Sequence, residues 1–266
     1  MTRAAALGAA AAVLALTACA PPPSVPRLDL SQGYLADAAL ERLAEAVPPP
    51  PAPGSPADLA DRAASDAYRG LEGGDRWLLA VAHAEVRPPL ALQHFDCALD
   101  VRLGSSETPA LDRLMARVFH DADAAAEQVK ARAFRARPVG DDPDRRACQR
   151  IDAKDRASPS YPSGSAALGA AYGQVFAALA PERAAAVRRI GHEMAVSRVV
   201  CAMHYPSDAQ AGEALGIAVA DAVAATPAFR ADAAAARAEL AAARATGRRS
   251  PACAAERLAL SAVLPG

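Results

Sequence analysis

The chain has 266 residues, of which 52% are hydrophobic but only 4% aromatic, and 29 basic against 30 acidic side chains leave a formal net charge of −1. That balance, with no basic block, gives no electrostatic footprint for nucleic acid or for an anionic membrane surface. Alanine supplies much of the hydrophobic count, a composition suited to one domain of closely packed helices rather than to sheets.

The first residues read as an export signal. Arg3 is a positive n-region, Ala4–Leu16 an apolar h-region, and Leu16-Thr17-Ala18-Cys19 resembles a lipobox. Residues 1–18 are then a signal peptide and Cys19 the candidate for lipidation. Ala20 after it resembles outer-membrane rather than inner-membrane lipoproteins. The alternative is ordinary cleavage after Ala18-Cys19-Ala20, which also satisfies the small-x-small rule. Either route takes the chain to the periplasm, with any membrane attachment made through the N-terminal lipid. Residues 19–54 form a proline-rich tether and N-terminal segment: Pro21–Pro26 is polyproline-like, Asp29–Val47 holds a short helix around Leu35, Leu40 and Leu43, and Pro48–Pro53 is a rigid spacer.

The domain proper is expected over residues 55–250, with 251–266 as a C-terminal tail. Ser55-Pro56, Thr108-Pro109 and Thr226-Pro227 each put a capping hydroxyl before a proline at the first helical position. Behind Thr108 the apolar positions Leu111, Leu114, Met115, Val118, Ala122, Ala125 and Val129 follow a 3.6-residue period, a helix that delivers Lys130 near its end. Ala180-Pro181-Glu182 opens a helical block running to Ser197, and Phe229–Ala245 is a last helix stopped by Gly247. Val139–Ser160 reads as a long charged loop held by Cys148, its Asp141–Arg146 run solvated. No alternating strand pattern is present, so the fold class is all-α. Gly212–Thr226 is too short, and too interrupted by Glu213 and Asp221, to cross a bilayer.

Five cysteines suit an oxidising compartment once Cys19 is assigned to lipid, leaving Cys97, Cys148, Cys201 and Cys253. Four allow three pairings. Cys97–Cys148 with Cys201–Cys253 is the expected one, each pair bracketing one block of chain; buried free thiols are the alternative. There is no C-x-x-C spacing, so no metal site is expected.

Three stretches carry chemistry. Ser197–Asp208 reads S-R-x5-H-x3-D, which on a helix puts His204 and Asp208 on one face, where a carboxylate fixes an imidazole's tautomer. Arg198 adds a planar fork suited to phosphate oxygens. Lys130 to Pro138 reads K-x6-R-P, ending in Arg137-Pro138, and Pro162-Ser163-Gly164-Ser165 is a turn entering a small-residue run. Singly these are solvated charges, a satisfied His–Asp pair and a turn. In this order they resemble the PAP2-superfamily signature KxxxxxxRP…PSGH…SRxxxxxHxxxD. They are most similar to the class A bacterial non-specific acid phosphatases, relatives of the vanadium haloperoxidases.

The resemblance implies a helical bundle in one domain, with the proline segment packed on it, that hydrolyses small phosphate monoesters without a cofactor. His204 would be the nucleophile and Asp208 the holder of its ring. Lys130, Arg137, Arg198 and the backbone at Ser163 and Gly164 would grip the phosphate, Ser197 would bond a phosphate oxygen or its neighbouring Arg198, and Tyr205 would be pocket wall. Vanadate would inhibit as a transition-state mimic. One position departs: Ser165 stands where the signature has histidine, which implies impaired protonation of the leaving group. The rival reading is a degenerate phosphate-binding protein of the same fold. Alanine-rich helical faces also suit a homo-oligomer contact.

Overall fold

A computed structural model describes residues 28–103 and 107–265. The candidate signal segment and Cys19 lie outside the described residues. Helices of eight residues or more are α1 (Asp37–Glu45), α2 (Pro56–Ala67), α3 (Asp75–Ala82), α4 (Pro109–Lys130), α5 (Gly164–Leu179), α6 (Ala184–Val200), α7 (Pro206–Ala224), α8 (Pro227–Ala245) and α9 (Cys253–Leu260). No strand occurs among the described residues. Nor is any single described helix long and apolar enough to cross a membrane.

The centre of the fold is α5. It is apolar on almost every side, as a helix must be when neighbours surround it. Helices α6 and α7 press on it most closely, and small residues let them. A Cβ on Gly191 would stand 2.5 Å from the Gly169 carbonyl oxygen, and one on Gly216 would stand 2.0 Å from that of Ala167. Helix α4 covers a further side with its periodic stripe, Leu111, Leu114, Met115, Val118, Ala122, Ala125 and Val129 all buried. Phe95, Tyr172 and Phe176 fill the middle of this core.

The helix starts obey the expected chemistry with one exception. Ser55 Oγ accepts from Asp58 N and Thr226 Oγ1 from Phe229 N. Thr108 does not cap α4; its hydroxyl turns to Asp112. The first N–H groups of α4 instead find the Glu239 carboxylate of α8, 2.8 Å from Ala110 N and 3.0 Å from Leu111 N. A negative charge from a distant helix does here what a local hydroxyl does elsewhere.

Three further expectations are corrected. The disulfides are Cys97–Cys253 and Cys148–Cys201, not the bracketing pairs. The chain after α8 folds back, so the stretch read as a tail contains α9, which lies against α3 and is fastened by Cys253. Cys148 meets Cys201 because the 139–160 segment crosses the C-terminal end of α6. That segment is also less loop-like than its charge suggests. It contains short helical turns at Pro138–Asp141 and Ala153–Ala157, the second opened by an Asp152–Asp155 capping box. Its charged run is largely exposed, as expected, but is also latched: Asp141 pairs with Arg62, Asp142 with Arg69, and buried Arg145 with Asp66.

Candidate active site

The three motif stretches are sewn together by backbone hydrogen bonds. Val139 N donates to Ala202 O, Ser160 N to Arg135 O (2.8 Å), and Ser163 N to Asp208 O (2.9 Å). Close contact of α5 with α7 makes this possible, since a Cβ on Gly212 would overlap the Ser163 carbonyl at 2.2 Å.

Ser197–Asp208 is not one helix. Pro206 has no N–H and cannot continue α6, so α6 stops at Val200, the chain turns through Ala202 at φ 56°, and Pro206 opens α7. His204 therefore lies in the turn and Asp208 in the first turn of α7, and the two do not share a helical face. Asp208 is fully buried; Oδ2 accepts from Tyr205 N (2.8 Å) and Ser160 Oγ (2.6 Å), Oδ1 from Arg135 (2.7 Å). Ser160 stands between carboxylate and imidazole: its carbonyl lies 2.7 Å from His204 Nδ1. A carbonyl can only accept, so Nδ1 carries the proton and Nε2 the lone pair. Arg137 Nη1 donates to that lone pair at 3.0 Å.

Around this ring the positive charges converge. Arg137 also bonds Met203 O and Ser158 Oγ. Arg198 bonds Gln149 Oε1 at 2.7 Å and faces Cys201 Sγ, while its Nε is buried without a partner among the described residues. Lys130 reaches the start of α5, its Nζ 3.3 Å from where a Cβ on Gly164 would project, and pairs with Glu127 at 2.6 Å. Burial, then the charges of Arg137, Arg198 and Lys130, hold the His204 imidazole well below the usual histidine range. Burial followed by Arg137 pushes Arg198 down to about 10.

The contrast among buried arginines is informative. Arg76 pairs with Glu193, Arg145 with Asp66, and Arg135 with Asp58, Asp61 and Asp208. Arg137 and Arg198, 8% and 3% exposed, form no ion pair among the described residues. An uncompensated buried charge costs several kcal/mol, roughly, and here two sit together beside a neutral imidazole. The arrangement suits an anion.

Two of the expected contributions differ in the structure. Ser163 N is committed to Asp208 O, and Ser163 Oγ caps Ala166 N, so the donors left for an anion at the start of α5 are the N–H groups of Gly164 and Ser165. Ser197 does not bond Arg198; its hydroxyl meets Arg76 and His83, each at 2.8 Å. Tyr205 is buried, with Arg135 4.3 Å over its ring and its hydroxyl donating to Asp141 at 2.7 Å. Ser160 and Arg135 were not singled out by sequence reasoning. Arg135 lies two residues before Arg137 and Ser160 three before Ser163, so proximity to the motifs was the available signal.

A buried cationic cup beside a neutral histidine, set in an all-helical bundle, is an arrangement suited to an oxyanion such as a phosphoryl group. The PAP2 superfamily profile matches residues 119–231, which contain all three stretches. The chain is 32% identical over 165 residues to an acid phosphatase of Zymomonas mobilis, covering 62% of each protein. It is 31% identical over 199 residues to a non-specific acid phosphatase of Salmonella typhimurium (73% of this chain, 78% of that one) and 29% identical to one of Providencia stuartii (62% and 67%). The chain belongs to the PAP2 superfamily.

Proposed function

We propose that the protein is an exported acid phosphatase of the class A kind, which hydrolyses phosphate monoesters through a phosphohistidine on His204. The observation that carries this reading is the pair of buried guanidinium groups without carboxylate partners, Arg137 and Arg198, with Arg137 on Nε2 of a neutral imidazole. A phosphoryl group entering the cup competes for Arg137 and frees the Nε2 lone pair. Nε2 then attacks phosphorus in line, the ester oxygen departs, and water later hydrolyses the P–N bond to restore the imidazole. Lys130, Arg137, Arg198 and the first N–H groups of α5 stabilise the equatorial oxygens. Asp208 acts through Ser160, holding the carbonyl that fixes the ring. Vanadate, trigonal-bipyramidal on Nε2, is the expected inhibitor.

Ser165 favours a second reading, a phosphate-binding protein that has lost turnover, because a hydroxyl there is no proton donor. Hydrolysis of an aryl phosphate and an alkyl phosphate by wild type, His204→Ala and Ser165→His separates the two. The phosphatase reading expects aryl turnover that His204→Ala abolishes, with Ser165→His raising mainly the alkyl rate. Phosphate or vanadate binding without turnover would establish the binding protein. Export and lipidation at Cys19 belong to the same proposal; the mass of the mature N-terminal peptide tests them.

A further inference from the structure

Cleaving an alkyl phosphate requires a proton for the departing alkoxide. The cup's arginines keep theirs, and His204 Nε2 must keep its lone pair. The other histidines are engaged elsewhere. His83 bonds Ser197 Oγ, His94 the Glu85 carbonyl, His120 faces Asp121, and His192 faces Glu213. Asp208 is buried and already saturated by Ser160, Tyr205 N and Arg135.

One carboxyl group is placed differently. Glu127 lies one turn before Lys130 on α4, and its Oε1 accepts from Lys130 Nζ at 2.6 Å. That ammonium stands at the first turn of α5, against Gly164. The site is graded in depth: His204 and Arg198 are 3% exposed, the Lys130 side chain 15%, and the Glu127 side chain 60%. In-line displacement by a nucleophile at the floor sends the leaving oxygen away from that floor, and Glu127 is the exposed carboxyl group paired with the cup's lysine.

We propose that Glu127 is the proton donor to the leaving alcohol. The inference rests on the phosphohistidine reading above. The entering phosphoryl group takes Lys130, and Glu127 in its protonated form turns to the ester oxygen. As the Nε2–P bond forms and the P–O bond breaks, the carboxyl proton passes to the alkoxide, leaving alcohol and a Glu127 carboxylate. In the second half-reaction that carboxylate takes a proton from the water attacking phosphorus, the P–N bond breaks, phosphate leaves, and both side chains return to their starting states.

Lys130, Arg87 and His120 act by charge on the same stretch of α4. Asp123, one turn before Glu127, is the neighbouring acid. Burial followed by the Glu127 charge pushes its carboxyl up, against the pull of Lys130, Arg87 and His120.

The test compares kcat/KM for an aryl and an alkyl phosphate in the full chain, wild type against Glu127→Gln, Asp123→Asn and His204→Ala. The expected result for Glu127→Gln is a loss on the order of a hundredfold on the alkyl ester, with a much smaller loss on the aryl ester and hence a steeper dependence on leaving-group basicity. Equal losses on the two esters would overturn the proposal and reduce Glu127 to a support for Lys130. A selective alkyl loss in Asp123→Asn instead would overturn it in favour of that residue. His204→Ala matching wild type on both esters, or a wild type that cleaves neither, would bring down the underlying phosphatase reading as well.

Discussion

Arg135 offers a test of how the site is held. Its guanidinium is 6% exposed and lies within 2.8 Å of three carboxylates, those of Asp208, Asp58 and Asp61, while donating to Ser207 Oγ at 2.9 Å. Arg135→Met would keep the apolar stem and remove the charge. Despite burial, hydrogen bonds from Arg135, Gly54 N and Arg62 bring Asp58 from 3.8 down to about 2. That shift corresponds to at most about 2 kcal/mol at neutral pH, reduced by solvent screening and shared among three donors. Asp208, with no exposure, would lose its cationic partner outright, so the whole loss should fall near the ~3–5 kcal/mol typical of a broken buried pair. Urea unfolding followed by the fluorescence of Trp77, the single tryptophan, measures it. The sign with pH is also fixed. Without Arg135 the buried carboxylates hold protons more tightly folded than unfolded, so the deficit must shrink as pH falls. A loss under about 1 kcal/mol, or one independent of pH, would refute the reasoning.

Other outcomes follow from single observations. Replacing Cys148 and Cys201 by serine opens a link between residues 53 apart and should cost about 4 kcal/mol by chain entropy; it also frees the segment carrying Gln149 from Arg198, so phosphate affinity should fall with stability, by calorimetry. Gly216→Ala should destabilise by about 1–3 kcal/mol, because its Cβ meets the Ala167 carbonyl, while Gly70→Ala, with open space around it, should stay within about 0.5 kcal/mol. Asp112 is raised by burial, then by Glu239, from 3.8 to about 6. Its ionisation therefore opposes folding increasingly from pH 3.8 and fully above about 6, and Asp112→Asn should stabilise by up to about 3 kcal/mol at pH 7.5. The gain should vanish below the unfolded value of 3.8, as pH-dependent urea titrations would show.

Much of this was legible in the sequence where local chemistry decides. The serine and threonine before prolines mark helix starts, and the period behind Thr108 delivers Lys130 where the cup needs it. What was not legible depends on distance through space. Glu239 capping α4 joins residues 128 and 129 positions apart, and no spacing rule reports that. Disulfide pairing failed for the same reason: bracketing a block of sequence says nothing about where the segment 139–160 crosses α6. At the site, Arg137 was named and Arg135 was not, although both are buried. The two differ in their partners, three carboxylates for Arg135 and none among the described residues for Arg137, a difference that only the three-dimensional arrangement reveals. His204 lies in the turn between α6 and α7, not on one helical face with Asp208, because Pro206 opens a new helix.

The central claim is that His204 Nε2, kept neutral and aimed by the Ser160 carbonyl, takes the phosphoryl group. Rapid quenching of the full chain during turnover of a ³²P-labelled aryl phosphate, followed by peptide mapping, tests it directly. The account predicts an acid-labile, base-stable label on the peptide containing His204, absent from His204→Ala. Label on a serine, or turnover with no labelled enzyme and undiminished in His204→Ala, would contradict it.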